Sequence, residues 1–139
     1  MKVAVVYWSG TGNTKAMADA VVEGATKGAE KVDVYEACNF NAGLVDGYDS
    51  FGLGCPSMGS EVLEEGEFQP MFDEIKSKLA GKKVGLFGSY GWGDGEWMRN
   101  WEEECKGLGA NLTDSVIANG SPDDSAIASC VELGERLSK

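Results

Sequence analysis

Val3-Ala4-Val5-Val6-Tyr7-Trp8-Ser9-Gly10-Thr11-Gly12-Asn13-Thr14 runs from an apolar stretch through a polar, glycine-rich turn into a segment of helical periodicity. The first six residues predict a buried strand, Val3 to Trp8. Asn13 to Lys27 predicts a helix with Ala16, Met17, Ala20, Val21 and Gly24 on one face. At such a junction the unpaired N–H groups and the positive end of the helix dipole favour an anion. Gly10 and Gly12 allow close backbone approach, Ser9, Thr11 and Thr14 offer hydroxyls, and Asn13 offers an amide. The turn carries no cation before Lys15. A P-loop would need Gly-Lys after four intervening residues, and the dinucleotide fingerprint would need a third glycine where Lys15 stands. Two readings remain at this point, a cradle for a compact phosphomonoester and a plain strand-to-helix turn.

The alternation continues along the chain. Val32 to Glu36, Ser50 to Gly54, Val84 to Gly88 and Asn111 to Ile117 predict further strands. Pro70 to Leu79, Glu96 to Leu108 and a last segment with Ile127, Cys130, Val131, Gly134 and Leu137 on one face predict helices, and Asn39 to Gly47 a loop or short helix. Five strands alternating with helices imply an α/β fold with a parallel sheet covered on both sides. In such a sheet the ligand lies beyond the carboxyl ends of the strands. Three loops reach that edge: Ser9 to Thr14, Cys55 to Glu67 and Ser89 to Gly95.

Composition removes several chemistries. The 139 residues are expected to form one domain, without histidine and with four cysteines that form no C-x-x-C pair. Ser-His-Asp and Cys-His catalysis are unavailable, and zinc or iron–sulfur sites are not indicated. Sparse cysteines and an early apolar run of only six residues predict a cytoplasmic protein without a membrane span. A net charge of -11 argues against nucleic acid and anionic membranes. Most of it lies in two runs, Glu61 to Glu74 at -6 and Asp94 to Glu104 at -4. Each run is either a solvated helix face or a functional surface.

The third loop, Ser89-Tyr90-Gly91-Trp92-Gly93-Asp94-Gly95, sets an indole among three glycines. Either a flat aromatic ligand covers Trp92 or the indole caps the sheet edge. Trp97, Met98, Trp101 and Cys105 recur at helical spacing and read as core, as do Trp8 and Phe51. The second loop, Cys55-Pro56-Ser57-Met58-Gly59-Ser60-Glu61, places a polarizable thioether beside a glycine and a carboxylate. Met58 and Trp92 can sandwich a planar ring, and Glu61 can accept hydrogen bonds from ring N–H groups.

Three runs in this order, residues 6 to 14, 54 to 61 and 81 to 95, resemble the short-chain flavodoxins of anaerobic bacteria, and the similarity spans essentially the whole chain. The resemblance implies a three-layer flavodoxin-like sandwich with strand order 2-1-3-4-5 and one domain over residues 1–139 that binds FMN non-covalently. It assigns the phosphate to Ser9, Gly10, Thr11, Gly12, Asn13 and Thr14. The ring falls to Ser57, Met58, Gly59, Ser60, Glu61, Ser89, Tyr90, Gly91, Trp92 and Gly93, with Met58 on its inner face, Trp92 on its outer face and Glu61 at flavin N3. The Gly59-Ser60 peptide is expected to rotate on one-electron reduction, in a family where some members carry Asp at the place of Ser60.

The same resemblance implies a monomeric, low-potential one-electron carrier, not an enzyme, that cycles mainly between semiquinone and hydroquinone and substitutes for ferredoxin. Its partners would be basic redox proteins, the oxidoreductases that reduce or oxidise ferredoxin or flavodoxin. The acidic runs, Glu64, Glu65 and Glu67 foremost, are expected to lower the flavin potential and steer such partners. A nicotinamide or quinone reductase would need a second pocket, and nothing after Gly95 supplies a recognisable phosphate site or a basic pair. A receiver domain would need aspartates where Ser9 and Cys55 stand, and a cysteine phosphatase an arginine where Glu61 stands.

Overall fold

The computed structural model describes residues 1–139. Five strands, β1 (Lys2–Tyr7), β2 (Lys31–Glu36), β3 (Ser50–Gly54), β4 (Lys83–Tyr90) and β5 (Asn111–Asn119), alternate with helices. The helices are α1 (Asn13–Thr26), a short α2 (Ala42–Val45), α3 (Phe68–Ile75), α4 (Glu96–Gly107) and α5 (Asp124–Leu137). All strand pairs are parallel, in the order β2-β1-β3-β4-β5. This is the flavodoxin-like order that the resemblance implied.

Burial follows position in the sheet. The inner strand β3 is buried at every residue and β1 from Val3 to Tyr7, as a continuous apolar run covered on both faces requires. The outer strands β2 and β5 alternate in exposure. Successive side chains point to opposite faces, so Ala4 and Val6 enter one core with Phe51, Phe68, Phe72, Trp97 and Trp101. Val3 and Val5 enter the other, with Met17, Val21, Leu133 and Leu137. Trp97, Met98, Trp101 and Cys105 are core, as their helical spacing indicates. No helix is long and apolar enough to cross a membrane.

Several boundaries differ from the sequence reading; among them, β5 runs two residues beyond Ile117, to Asn119, and α3 ends at Ile75 and gives way to a 3-10 turn over Lys76–Lys78 instead of continuing to Leu79. Strand β4 runs two residues further, because Ser89 and Tyr90 pair with Ala118 and Asn119 of β5, so its loop starts at Gly91. Helix α3 begins at Phe68, before the proline; Pro70 sits in the first turn, where its missing N–H leaves no intrahelical bond unmade. Trp8 falls just past β1, although its N–H still donates to the Gly54 carbonyl at 3.0 Å.

Helices α1 and α5 meet backbone to backbone. A Cβ on Gly24 would overlap the Val131 carbonyl, and one on Gly134 the Val21 carbonyl. Both glycines are therefore packing residues, and their contact fixes α1 against the sheet and hence the position of its N-terminus. Gly134→Ala is expected to destabilise the fold by about 1–3 kcal/mol in urea unfolding, the cost of overpacking a close contact. Gly107→Ala, at the end of α4 with open space around it, should be neutral or slightly stabilising. Equal losses in the two variants would contradict this account of the α1–α5 contact.

Candidate functional site

The start of α1 is an anion cradle in its backbone geometry. Gly12 occupies the N-cap in the left-handed region, φ 98°, no side chain caps the helix, and its first turn holds no acid. Gly12 N–H donates to Ser9 Oγ at 3.1 Å and Asn13 N–H, weakly, to Thr11 Oγ1 at 3.5 Å, which folds the loop on itself. The N–H groups of Gly10, Thr11, Thr14 and Lys15 find no acceptor in the chain. Four donors at the positive end of a helix dipole suit a phosphate. The Lys15 ammonium pairs with Asp19, one turn further along the helix, at 3.2 Å. The Asp19 hydrogen bond raises the Lys15 pKa.

The loops after β3, β4 and β5 complete a cleft of about 260 Å³ beside this cradle. Thr14 Oγ1 and Ser89 Oγ, both buried, lie 3.3 Å apart and tie the helix start to β4. Ser57 N–H donates to the Ser89 carbonyl at 2.9 Å, and Gly120 N–H to the Tyr90 carbonyl at 2.8 Å. Met58 and Val62 exchange two backbone hydrogen bonds, of 2.9 and 3.1 Å, closing a tight turn over Gly59, Ser60 and Glu61. Within it Gly59 has φ 42° and Glu61 φ 56°, the only non-glycine residue with positive φ. A non-glycine residue held in that region, as Glu61 is, costs of order 1 kcal/mol.

Carboxylates hold these loops in place. Glu61 Oε1 accepts from Glu96 N–H at 3.0 Å, capping α4, whose own N-cap is Gly95. A Cβ on Gly93 would lie 2.7 Å from the Glu61 carboxyl carbon, so the two loops touch there. Glu64 accepts three backbone N–H groups, from Gly66 at 2.7 Å and from Glu67 and Phe68 at 2.8 Å, and so caps α3. Burial works against its ionisation, but the three donors outweigh it and lower the pKa. Glu67 Oε1 accepts from the Trp8 indole N–H at 2.9 Å. The acidic runs are thus largely structural: Glu74 holds Ala42 N–H, Asp94 pairs with Arg99, Glu102 accepts from Ser115, and Glu104 pairs with Lys76. The side chains of Glu65, Glu96 and Glu103 have no hydrogen-bond or ion-pair partner.

Three of the four thiols are withdrawn from solvent, and Cys38 is exposed. Cys55, Cys105 and Cys130 are buried, and burial pushes each up to about 12, which keeps them protonated.

Of the residues singled out by sequence, Ser9, Gly10, Thr11, Asn13, Thr14, Ser57, Met58, Ser89, Tyr90 and Gly91 line the cleft. Gly12 shapes the cradle from outside the lining, and Gly59, Ser60 and Glu61 form the turn at the rim. Trp92 and Gly93 stand beyond it, Trp92 with 68% of its surface exposed. Tyr90 packs on Trp97, with ring centroids 5.6 Å apart. Sequence reasoning missed Pro56, Gly120 and Trp8 as lining residues. Gly120 follows β5 and obeys the same strand-end rule as the other loops. Trp8 was read as core, whereas it is only partly buried and packs against the core while facing the cleft.

Comparison with known proteins bears on this site. The family model for flavodoxin matches residues 5–134. The chain is 44% identical to a flavodoxin of Megasphaera elsdenii over 137 residues, covering 99% of this chain and 98% of that one. It is 43% identical to a flavodoxin of Clostridium beijerinckii over 133 residues, 96% of each. The solution structure of two-electron reduced Megasphaera elsdenii flavodoxin superposes with a TM-score of 0.90 at 44% identity, covering 98% of both chains.

The Glu64 clamp has a measurable consequence. A carboxyl whose pKa is lowered by folding contributes stability above its unfolded pKa, and that contribution is lost as pH falls through the folded value. Glu64→Ala is therefore expected to cost about 1 kcal/mol at neutral pH, the scale of a lost helix cap. The gap from the parent should narrow in acid, as pH falls through the lowered folded value and the parent carboxyl is itself protonated. Urea unfolding at the two pH values reads both effects, and a gap that persists in acid would contradict the charge-assisted clamp.

Proposed function

The chain belongs to the flavodoxin family, FMN-binding electron-transfer proteins rather than enzymes, and we propose that it is a low-potential one-electron carrier that stands in for ferredoxin. The observation that carries the site assignment is the set of unpaired N–H donors at the start of α1, opening on a cleft lined by Met58 and Tyr90. The donor set fits the group: a phosphate needs hydrogen-bond donors at a helix N-terminus, and a flat ring needs apolar faces. FMN, when bound, supplies the one-electron chemistry, working mainly between its singly and fully reduced forms.

The chain's own residues then divide the work. Ser9 to Thr14 hold the phosphate through backbone N–H groups and hydroxyls. Met58 and Trp92 flank the ring, which would remove the Trp92 indole from water. Glu61 keeps one carboxylate oxygen on Glu96 N–H and has the other for a ring N–H. Ser57, Ser89, Tyr90, Gly91 and Gly93 hold the ring edge through backbone groups. The Gly59-Ser60 peptide would offer its carbonyl to the reduced ring, and Gly59, with φ 42° and open space where a Cβ would stand, makes rotation of that peptide sterically cheap.

Electrostatics favours a basic partner. The net charge of -11, concentrated in the runs Glu61 to Glu74 and Asp94 to Glu104, attracts a cationic surface. Within this reading the protein is a cytoplasmic monomer, one domain over residues 1–139, that meets oxidoreductases handling ferredoxin or flavodoxin.

An anaerobic reductive titration of the FMN-loaded protein tests the reading. It should show two resolved one-electron steps with a transient long-wavelength band, and the pure protein should not oxidise NAD(P)H. Gly59→Ala should shrink the band, since alanine disfavours the positive φ by about 1 kcal/mol. A single two-electron step in the parent, or turnover with NAD(P)H, would contradict a one-electron carrier.

A further inference from the structure

Outside the loops assigned above, one contact joins the phosphate loop to the start of α3. Trp8 Nε1–H donates to Glu67 Oε1 at 2.9 Å, across 59 residues of sequence. No other side-chain hydrogen bond connects the Ser9–Thr14 loop or Trp8 with the segment from Cys55 to Phe68. The far side of the same indole meets Gly10. A Cβ built there would lie 3.0 Å from Trp8 Cη2 and 3.3 Å from Cζ3, so the ring edge lies directly beside Gly10 and leaves little room for a side chain there. Glu67 is itself held, because its N–H donates to Glu64 Oε1 at 2.8 Å. A continuous chain of contacts runs from the Glu64 clamp to Glu67, from Glu67 to Trp8, and from Trp8 to Gly10, whose N–H is one of the free donors of the cradle.

Charge alone predicts the opposite of a helpful role. A carboxylate tethered to the residue next to an anion-binding loop disfavours a phosphate there by simple Coulomb repulsion. What Glu67 offers is an acceptor of fixed position, which removes rotational freedom from the indole and so keeps the donors of the cradle in place before the ligand arrives. We propose that Glu67 is a positioning residue for the phosphate loop, acting through the Trp8 indole N–H, and that its hydrogen-bond acceptor rather than its charge is what FMN binding requires. The inference rests on the FMN reading given above.

Titrating the full apoprotein with FMN and with riboflavin, followed by quenching of flavin fluorescence, tests it. Glu67→Ala and Trp8→Phe should each weaken FMN by about two- to tenfold, the range for one lost hydrogen bond, and weaken riboflavin less, since riboflavin lacks the phosphate. The double variant should be no worse than either single one, as expected for two ends of one contact. Glu67→Gln, which keeps the acceptor and drops the charge, should bind FMN at least as tightly as the parent. Glu67 is exposed, so its variants stay folded even if Trp8→Phe does not. The inference is overturned if Glu67→Ala binds FMN like the parent, if FMN and riboflavin weaken equally, or if Glu67→Gln is as poor as Glu67→Ala. If the parent itself binds neither flavin, the FMN reading fails, a result separate from all of these.

Discussion

The cradle at the start of α1 is made from uncharged donors, and the rest of the cleft is arranged around that constraint. In a chain of net charge -11 an anion site cannot rely on long-range attraction. It relies on short-range geometry: Gly12 in the left-handed region, a first helical turn without acids, and N–H groups with no internal acceptor. Lys15, the next cation along the chain, pairs with Asp19. Such a site holds its ligand only if the loop is already in shape, because each donor is worth a hydrogen bond and none brings a full charge.

Preorganisation therefore extends outward through the fold. The Gly24 and Gly134 contact sets α1 against α5, the Thr14–Ser89 contact sets it against β4, and Trp8 supports the loop from below. On the other side, carboxylates do the fastening. Glu61 caps α4, Glu64 caps α3 and Glu67 fixes Trp8. The acidic runs thus combine two duties, since the same residues that make the surface negative also close the loops around the cleft.

The order of elements was legible because each apolar run and each helical period is local. The three loops were legible because a parallel sheet collects them at one edge, and the strand order came from the resemblance rather than from periodicity. What was not legible depends on partners far away in sequence. Ser89 and Tyr90 look like loop residues among glycines, yet β5 extends the strand to include them. Glu64 looks like one acid in a solvated run, yet three N–H groups of the following turn converge on it. Trp8 looks like the end of a buried strand, and only its indole N–H, which needs an acceptor, hints that one edge lies near a surface carboxylate.

The salt dependence of FMN binding to the full apoprotein distinguishes neutral donors from a cationic pocket. With a phosphate held by neutral donors in a negative chain, affinity should hold or rise between about 50 mM and about 500 mM salt, because screening weakens only the repulsion. An affinity that falls steeply over that range, the behaviour of a cation-lined pocket, or the absence of FMN binding at either salt, would contradict the account.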